Sequence, residues 1–216
     1  DSGKIASDQS LFIPYGGPEL HSRDRVLWRV RVWDGKGQES EWSKPSFWEM
    51  GLLKSADWQV KWIAPEGAEK GAEERPVALL RDSFTLTGEV AQARLYATAK
   101  GVYQLELNGQ PVGEDLLTPG WTAYRHRIQY QTYDVTEMFK PGENVIGAFL
   151  ADGWYRGYLG WEGKRNHYGD KTALRVQLHI TYADGTEAVF GSDESWRSST
   201  DGPYRMADIY KGEKYD

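Results

Sequence analysis

The sequence contains no cysteine, no long apolar run and no cluster of basic residues. Without cysteine, neither disulfide bonds nor thiolate metal sites can form, which leaves the cellular compartment open. No apolar run approaches the ~20 residues that are needed to span a bilayer. The formal net charge is −6. Because lysine and arginine are dispersed, the sequence disfavours nucleic acid and anionic membranes as partners.

Aromatic residues and glycine, in contrast, are abundant: the 216 residues include 10 Trp, 13 Tyr and 24 Gly. This composition, with few helical patterns, is typical of an all-β protein with aromatic-rich loops. The hydrophobic content of 39% and the charged content of 27% fit a globular protein and not a disordered one. The length favours two domains.

Residues 1–53 form the first predicted unit. Every second residue from Val26 to Val32 is apolar, a pattern typical of a half-buried antiparallel strand, and Asp34–Gly37 predicts the turn that ends it. The stretch LWRVRVWDGKGQESEWS resembles the late strands of a fibronectin type III or immunoglobulin-like sandwich. Such a fold needs about seven strands, and about four or five can be placed here. We therefore expect a partial sandwich whose early strands lie upstream in a longer parent protein.

Residues 54–76 are predicted to be a linker. Trp58 and Trp62 are expected to anchor the junction, and the polar stretch Glu66–Arg75 is expected to form an exposed loop.

Residues 77–216 form the second predicted unit, with about eight to ten short strands and no helical crossover. Asn108 and Gly109 predict a tight hairpin, because both residues tolerate positive φ. A strand is predicted over 127–133 and a helical turn over 137–140, capped by Asp134 or Thr136. This pattern indicates an antiparallel jelly-roll, galactose-binding-like β-sandwich.

The stretch 144–161 suggests the functional site. Its first half is apolar on both faces, which predicts a buried central strand. An acid, two large aromatics and an arginine then follow between glycines, in the order Asp152-Gly153-Trp154-Tyr155-Arg156-Gly157. Aromatic rings can cover the apolar face of a sugar while charged groups bind its hydroxyls. Alternatively, Trp154 and Tyr155 fold back into the core or pack on a neighbouring domain.

Catalysis by these residues alone is disfavoured. Glycosidases need two carboxylates at a set separation, and loop carboxylates that could pair are Asp115, Asp152, Glu162 and Asp170. With 32 acidic residues in the chain, such candidates are expected by chance. The four histidines lack the spacing of a metal site, and neither a nucleophile elbow nor a phosphate loop is present.

Several motifs in order carry a family resemblance: GVYQLELNGQPVG, LTPGWTAYRHRIQYQTYDVT, DVTEMFKPGENVIG, ADGWYRGYLG, the YGD at Tyr168–Asp170, YADGT and ADIYKGEKYD. Together they resemble the N-terminal region of bacterial α-L-rhamnosidases of glycoside hydrolase family 78, over nearly the whole chain. Those enzymes also place an immunoglobulin-like sandwich before this domain.

The resemblance implies that this region is not catalytic. Members of the family invert configuration with acidic residues on a downstream (α/α)6 barrel. In some members the jelly roll binds L-rhamnose with a calcium ion, and in others it packs on the barrel or rims the substrate cleft. Carried over to this sequence, the carbohydrate-binding residues are Asn108, Trp121, Asp152, Trp154, Tyr155, Arg156 and Gly157, with no catalytic or metal-ligating residue.

Calcium is disfavoured because Leu107 and Gly109 flank Asn108 where an acidic ligand would be needed. We expect L-rhamnose or a rhamnose-containing glycan and the parent's own barrel as partners. A periplasmic or extracellular location is favoured over the cytoplasm. Three hypotheses follow: a rhamnose-binding module, an interface module that contacts the barrel without binding sugar, and an independent small hydrolase.

Overall fold

The structure, a computed structural model, describes residues 1–66, 75–160 and 163–216. It divides into two compact units, Asp1–Trp58 and Gln59–Asp216. The boundaries drawn from the sequence stay a prediction, and Trp161, Glu162 and most of the expected exposed loop lie outside the described residues. None of the helices in the described ranges is long and apolar enough to cross a membrane.

The first unit contains one short hairpin and a 3₁₀ turn at Ser55–Asp57. Strand β1 (Arg25–Trp28) pairs antiparallel with β2 (Ser46–Glu49). The strand therefore ends at Trp28, although the alternating pattern continues to Val32. Beyond Trp28, the Oγ of Ser43 accepts a hydrogen bond from the amide of Val30 at 3.0 Å, so a side chain occupies a ladder position.

The second unit carries the remaining strands of the described chain. They are β3 (Ala78–Thr85), β4 (Val90–Lys100), β5 (Val102–Leu107), β6 (Gln110–Pro111), β7 (Gln131–Asp134), β8 (Glu143–Ala151), β9 (Tyr158–Leu159), β10 (Lys164–Arg165), β11 (Ala173–Tyr182), β12 (Glu187–Gly191), β13 (Arg197–Ser199), β14 (Tyr204–Asp208) and β15 (Gly212–Tyr215). A 3₁₀ turn spans Thr136–Met138, and a single helical turn, α1, spans Gly153–Arg156.

Two antiparallel sheets form the sandwich. One has the strand order β12-β11-β4-β7 and the other β13-β3-β8-β5-β6. Alternate residues of β4, β8 and β11 point into one shared core, where Leu95, Leu150 and Leu178 are at most 1% exposed. The all-β prediction is confirmed. Strand β8 pairs with β3 on one side and β5 on the other, so the expected central strand is present.

The hairpin β14–β15 is hydrogen-bonded to the residue that precedes β3 of the five-stranded sheet. The amide of Val77 donates to the carbonyl of Tyr204 at 3.0 Å. The Tyr204 ring packs edge to face on Phe149, which alternates with the buried core residues of β8 and so lies on the outer face of the sheet. This outer face therefore has partial cover from the last residues of the chain.

Two local predictions are corrected. The strand expected over 127–133 begins only at Gln131, because the amide of Arg127 donates to the carbonyl of Ala123 and closes a turn instead. The expected helical turn is a 3₁₀ turn placed one residue earlier than predicted. Its N-cap residue is Val135, which makes no side-chain cap hydrogen bond, so the predicted cap by Asp134 or Thr136 is wrong; Asp134 Oδ1 instead accepts from the amide and the hydroxyl of Thr136, at 3.1 and 2.6 Å.

Candidate functional site

The residues after β8 form the turn α1 and not the displayed loop that the sequence suggested. Asp152, Arg156 and Gly157 are buried, whereas Trp154 and Tyr155 are half-buried. A Cβ at Gly157 would lie 2.4 Å from the carbonyl oxygen of Gly153, so only glycine fits there. The expectation that Asp152, Arg156 and Gly157 form an exposed rim is therefore wrong in this structure.

The charged side chains of α1 are used inside the protein. Arg156 Nε donates to Asp152 Oδ1 at 2.5 Å, and Arg156 Nη2 contacts the same oxygen. Arg75 Nη1 lies 3.7 Å from Asp152 Oδ2 and donates to Asn166 Oδ1 at 3.1 Å. We call Arg75, Asp152 and Arg156 the buried charge cluster. Burial, and then the neighbouring guanidinium of Arg156, lower the pKa of Arg75.

The buried charge cluster has one carboxylate for two guanidiniums. Arg75 Nε and Arg156 Nη1 have no hydrogen-bond partner within the described part of the chain. In a low-dielectric interior, two guanidiniums are tolerated only while this carboxylate is present, because its loss would leave both charges without a counter-ion. The cluster therefore fixes α1 to the sandwich and orients Trp154 and Tyr155.

The outward residues of α1 meet an aromatic loop from another part of the chain. The rings of Trp121 and Trp154 are nearly parallel, at 10° with centroids 6.1 Å apart. Trp121 is 52% exposed, and its indole Nε1 donates to the hydroxyl of Tyr168 at 3.1 Å. An exposed indole fixed by a hydrogen bond is a ready platform for the C–H face of a ring-shaped ligand.

Three tyrosines support this platform. The ring of Tyr124 packs edge to face on Tyr155 at 5.3 Å and on Tyr168 at 4.9 Å. The hydroxyl of Tyr124 donates to the carbonyl of Gly120 at 3.0 Å, which ties the ring to the loop that bears Trp121. The aromatic cluster, as used below, consists of Trp121, Tyr124, Trp154, Tyr155 and Tyr168.

The hydroxyls of Tyr124 and Tyr155 are neutral near pH 7. Burial, and then the neighbouring Tyr168, raise the pKa of Tyr124 to about 12. Burial and the carboxylate of Asp170 raise the pKa of Tyr155. Gly169 lies against this group, because a Cβ there would stand 2.4 Å from the Tyr155 hydroxyl. The site therefore presents ring faces and neutral hydroxyls, which suit a neutral polyol.

Asn108 does not join this site. It pairs beside the start of β8, since its amide donates to the carbonyl of Val145 at 2.8 Å. Seven residue steps of about 3.3 Å, or about 23 Å in all, separate Val145 from Asp152. The prediction that all the site residues gather on one rim is wrong for Asn108.

The side chain of Asn108 has a structural role. Its Nδ2 donates to the carbonyl of Met138 at 3.0 Å and to Asn144 Oδ1 at 2.8 Å, and its Oδ1 accepts from the amide of Val145 at 3.0 Å. No group of three or more His, Asp or Glu residues that could hold a metal ion occurs among the residues described. Asn108, with its amide committed, does not fit a calcium site.

Sequence reasoning named Trp121, Trp154 and Tyr155 but not the tyrosines that support them. Tyr124 and Tyr168 both lie in motifs that carry the family resemblance, but nothing in the sequence distinguishes them from the other tyrosines as support for the two tryptophans. Both are found only through contacts between distant segments of the chain.

The chain matches two families of known domains. Residues 88–216 match the α-L-rhamnosidase N-terminal domain. Residues 1–54 match the Rha78A-like N-terminal immunoglobulin domain.

Curated and solved relatives agree with these matches. An α-L-rhamnosidase of Formosa agariphila is 41% identical over 225 residues, which cover 100% of this chain and 24% of that protein. The crystal structure of native α-L-rhamnosidase from Aspergillus terreus has a TM-score of 0.92 at 38% identity, covering 97% of this chain and 25% of that one.

The Streptomyces avermitilis α-L-rhamnosidase, solved in complex with L-rhamnose, has a TM-score of 0.91 at 28% identity, covering 100% of this chain and 37% of that one. This chain spans about a quarter of the length of the first two relatives. The resemblance inferred from sequence motifs is confirmed: the chain belongs to the family of α-L-rhamnosidase N-terminal domains.

Proposed function

We propose that this chain is the non-catalytic N-terminal region of a protein that hydrolyses terminal α-L-rhamnosides, and that its jelly roll recognises L-rhamnose-type sugars at the aromatic cluster. Hydrolysis with inversion would be carried out by acidic residues of a downstream (α/α)6 barrel. The proposal for the parent protein is supported by family membership and by the similarity of the chain to proteins named α-L-rhamnosidase. We further propose a periplasmic or extracellular location.

The observation that carries the sugar site is the parallel pair of Trp121 and Trp154 beside the Tyr168 hydroxyl. A 6-deoxy sugar has an extended apolar face, which an indole covers well, and its remaining hydroxyls need hydrogen-bonding groups near the edge of the ring. The hydroxyl of Tyr168 lies at that edge. Charged groups contribute little to direct contact, because Asp152 and Arg156 are buried.

The affinity is expected to be modest. Sugar hydroxyls lose good hydrogen bonds to water on binding, so we expect a dissociation constant between millimolar and micromolar, or ~4 to 8 kcal/mol of binding free energy. Such a site would raise the local concentration of the glycan near the catalytic barrel and would not itself set the rate of hydrolysis.

Isothermal titration of the chain with L-rhamnose tests the proposal. We expect measurable heat at millimolar sugar for the native chain and its loss in Trp121→Ala and Trp154→Ala. Trp42→Ala is the matched control, because Trp42 is an exposed indole in the first unit that contacts Arg29 and Arg31 instead. Titrations with added calcium and with a chelator test metal dependence. The absence of heat under both conditions would contradict the proposal.

A second candidate, an interface module that contacts the rest of the parent protein without binding sugar, is favoured by exposed apolar residues on the second unit. Leu116 is 89% exposed, Tyr215 68% and Tyr210 59%. Exposed apolar groups of this kind often mark an interaction surface. On this hypothesis the isolated chain binds the separately produced remainder of the parent but gives no heat with L-rhamnose. In both cases we expect no release of p-nitrophenol from the aryl rhamnoside by this chain.

A further inference from the structure

An open groove of about 610 Å³ lies on the second unit, and its described lining includes no member of the aromatic cluster. Its floor is formed by outward residues of the five-stranded sheet, among them Val102 on β5 and Phe149 and Ala151 on β8. The loop after β6 and the hairpin β14–β15 provide its other walls. The groove is therefore an apolar surface framed by two segments of irregular or edge structure.

The walls of this groove carry one sign of charge. Five acidic residues line it, and no lysine, arginine or histidine occurs among its described lining residues; the acids are Glu106 on the floor strand β5, Glu114, Asp115, Asp208 and Glu213. The carboxylate of Asp208 already accepts hydrogen bonds from three backbone amides, which leaves Glu106, Glu114, Asp115 and Glu213 as the acids that a basic partner would meet. Like charges that surround a low-dielectric floor reinforce one another and attract cations. Any macromolecule that covers the floor must place positive charge against this rim, because unpaired carboxylates would otherwise lose their hydration.

The loop after β6 also exposes two leucines to solvent, and one of them has an unfavourable backbone conformation. Leu116 is 89% exposed, and Leu117 is 52% exposed with a φ of 56°, a left-handed conformation that disfavours leucine. The loop is nevertheless held in place, because the hydroxyl of Thr118 donates to the carbonyl of Tyr103 at 2.7 Å. Strain that fixes an exposed apolar side chain is typical of a contact surface.

We propose that this acidic groove is the docking site for a basic amphipathic segment of the same parent protein, from the polypeptide outside these 216 residues. The occupant would place apolar residues on Val102 and Phe149, against Leu116 and Leu117, and Lys or Arg against the carboxylates. The relatives contain about three times as much polypeptide beyond the matched region, since this chain covers 24% of the first. A second copy is a poorer occupant, because self-association through this face would bring like charges together. The inference rests on the interface role proposed above.

Carbodiimide coupling of the full-length parent identifies the occupant. The reagent joins a carboxylate to a contacting lysine amine without a spacer, and mass spectrometry then locates the linked pair. We expect links from Glu114, Asp115 or Glu213 to lysines outside residues 1–216. An equimolar mixture of ¹⁴N- and ¹⁵N-labelled protein distinguishes links within a molecule from links between copies. Predominantly mixed-label links would overturn the proposal in favour of a dimer.

Hydrogen exchange tests whether the groove is covered even if the docked segment contains arginine instead of lysine and cannot be coupled by the carbodiimide. Amides of residues 113–118 are compared in this 216-residue chain and in the full-length parent. Because docking must open before exchange occurs, we expect at least ~10-fold slower exchange in the full-length protein. The slowing should diminish in high salt, as expected for charge pairing. Equal exchange in the two proteins shows that the groove is not covered and overturns the proposal.

Two variants separate docking from folding. Leu117→Gly removes the leucine and suits the positive φ, so the 216-residue chain should unfold at the same or a higher temperature while the full-length parent loses its exchange protection. The double variant Glu114→Lys/Asp115→Lys should have the same effect on protection. Glu137→Lys, an exposed acid in the 3₁₀ turn outside the groove, is the charge control and should leave protection unchanged. Retained protection in both groove variants contradicts the inference.

The outcome is distinguishable from that of the sugar proposal. L-Rhamnose titration of Leu117→Gly reports on the aromatic cluster: the Leu117 side chain is not a member of the cluster, and the Leu117 carbonyl, which accepts from the Gly120 amide at 3.0 Å, is kept in the variant. A variant that loses protection but still binds rhamnose supports both proposals, and loss of protection without any rhamnose binding by the native chain supports the interface role alone.

Discussion

Replacement of the carboxylate in the buried charge cluster tests whether the cluster holds α1. In Asp152→Asn, the side chain keeps its shape and one oxygen acceptor, but two guanidiniums remain without a counter-ion. The side chains of Asp152, Arg75 and Arg156 are only 10%, 6% and 4% exposed, so water screens the remaining charges poorly. Removal of one partner of a buried pair costs ~3–5 kcal/mol, and because the amide oxygen is retained we expect a loss of about 3 kcal/mol in the free energy of unfolding.

Urea denaturation measures this loss. With an m-value of about 2 kcal/mol/M, a loss of about 3 kcal/mol lowers the midpoint by about 1.5 M. Asp201→Asn is the matched control, because Asp201 and Arg205 form another Asp–Arg pair four residues apart, with the Asp201 side chain 99% exposed. Such a surface pair contributes ~0–1 kcal/mol, so its loss should barely move the midpoint.

A second substitution sharpens the test. Adding Arg75→Met to Asp152→Asn removes one of the two unpaired cations, and we expect part of the lost stability to return because the two sites are coupled. The reasoning is refuted if Asp152→Asn lowers the midpoint no more than Asp201→Asn does. It is also refuted if the double variant is less stable than Asp152→Asn alone.

Three further predictions concern other parts of the second unit. In Asn144→Ala, the side-chain amide is lost that makes two hydrogen bonds with Lys140, one with Gly142 and one with Asn108. At ~0.5–1.5 kcal/mol per hydrogen bond we expect urea denaturation to show a loss of about 2–6 kcal/mol in the free energy of unfolding, and an unchanged midpoint would contradict this expectation. Because the pKa of Tyr124 is raised to about 12 in the folded chain, its contribution to stability is full below pH 10 and is lost as the pH rises towards 12. Between pH 10 and 12, the melting temperature of Tyr124→Phe should therefore fall less than that of the native chain. Identical pH profiles of the two melting temperatures would argue against this role of Tyr124. In Gly169→Ala, the added methyl group displaces the Tyr155 ring, and titration should show weaker L-rhamnose binding at a nearly unchanged melting temperature. Undiminished affinity would show that the position of the Tyr155 ring does not support sugar binding.

The main strand of the site could be predicted from the sequence because its pattern is local. Asn144, Ile146, Ala148 and Leu150 alternate with residues that are less buried, and period-2 burial follows directly from strand geometry. The same reasoning failed at Asp152 and Arg156. Charged residues between glycines usually indicate an exposed loop, whereas Asp152 and Arg156 pair with each other in the interior, and Arg75, far away in sequence, lies beside the same carboxylate.

The aromatic cluster was predictable in part. The sequence left open whether Trp154 and Tyr155 form a binding surface or fold back into the core, and in the structure both are half-buried. The parallel placement of Trp121 depends on two loops that are distant in the chain. Asn108, at the hairpin, is a site residue only as the family resemblance implies. That position places it at the far end of β8, because antiparallel pairing fixes which strand ends are neighbours.

The two tryptophans of the cluster differ in how freely they can change. Trp154 lies on α1, which the buried charge cluster holds in place, so its backbone position is fixed by the fold. Trp121 is mostly in water and is tied down by a single indole hydrogen bond. We expect engineered or natural shifts in sugar preference to arise at position 121, where a new side chain alters one wall of the site and leaves the sandwich intact.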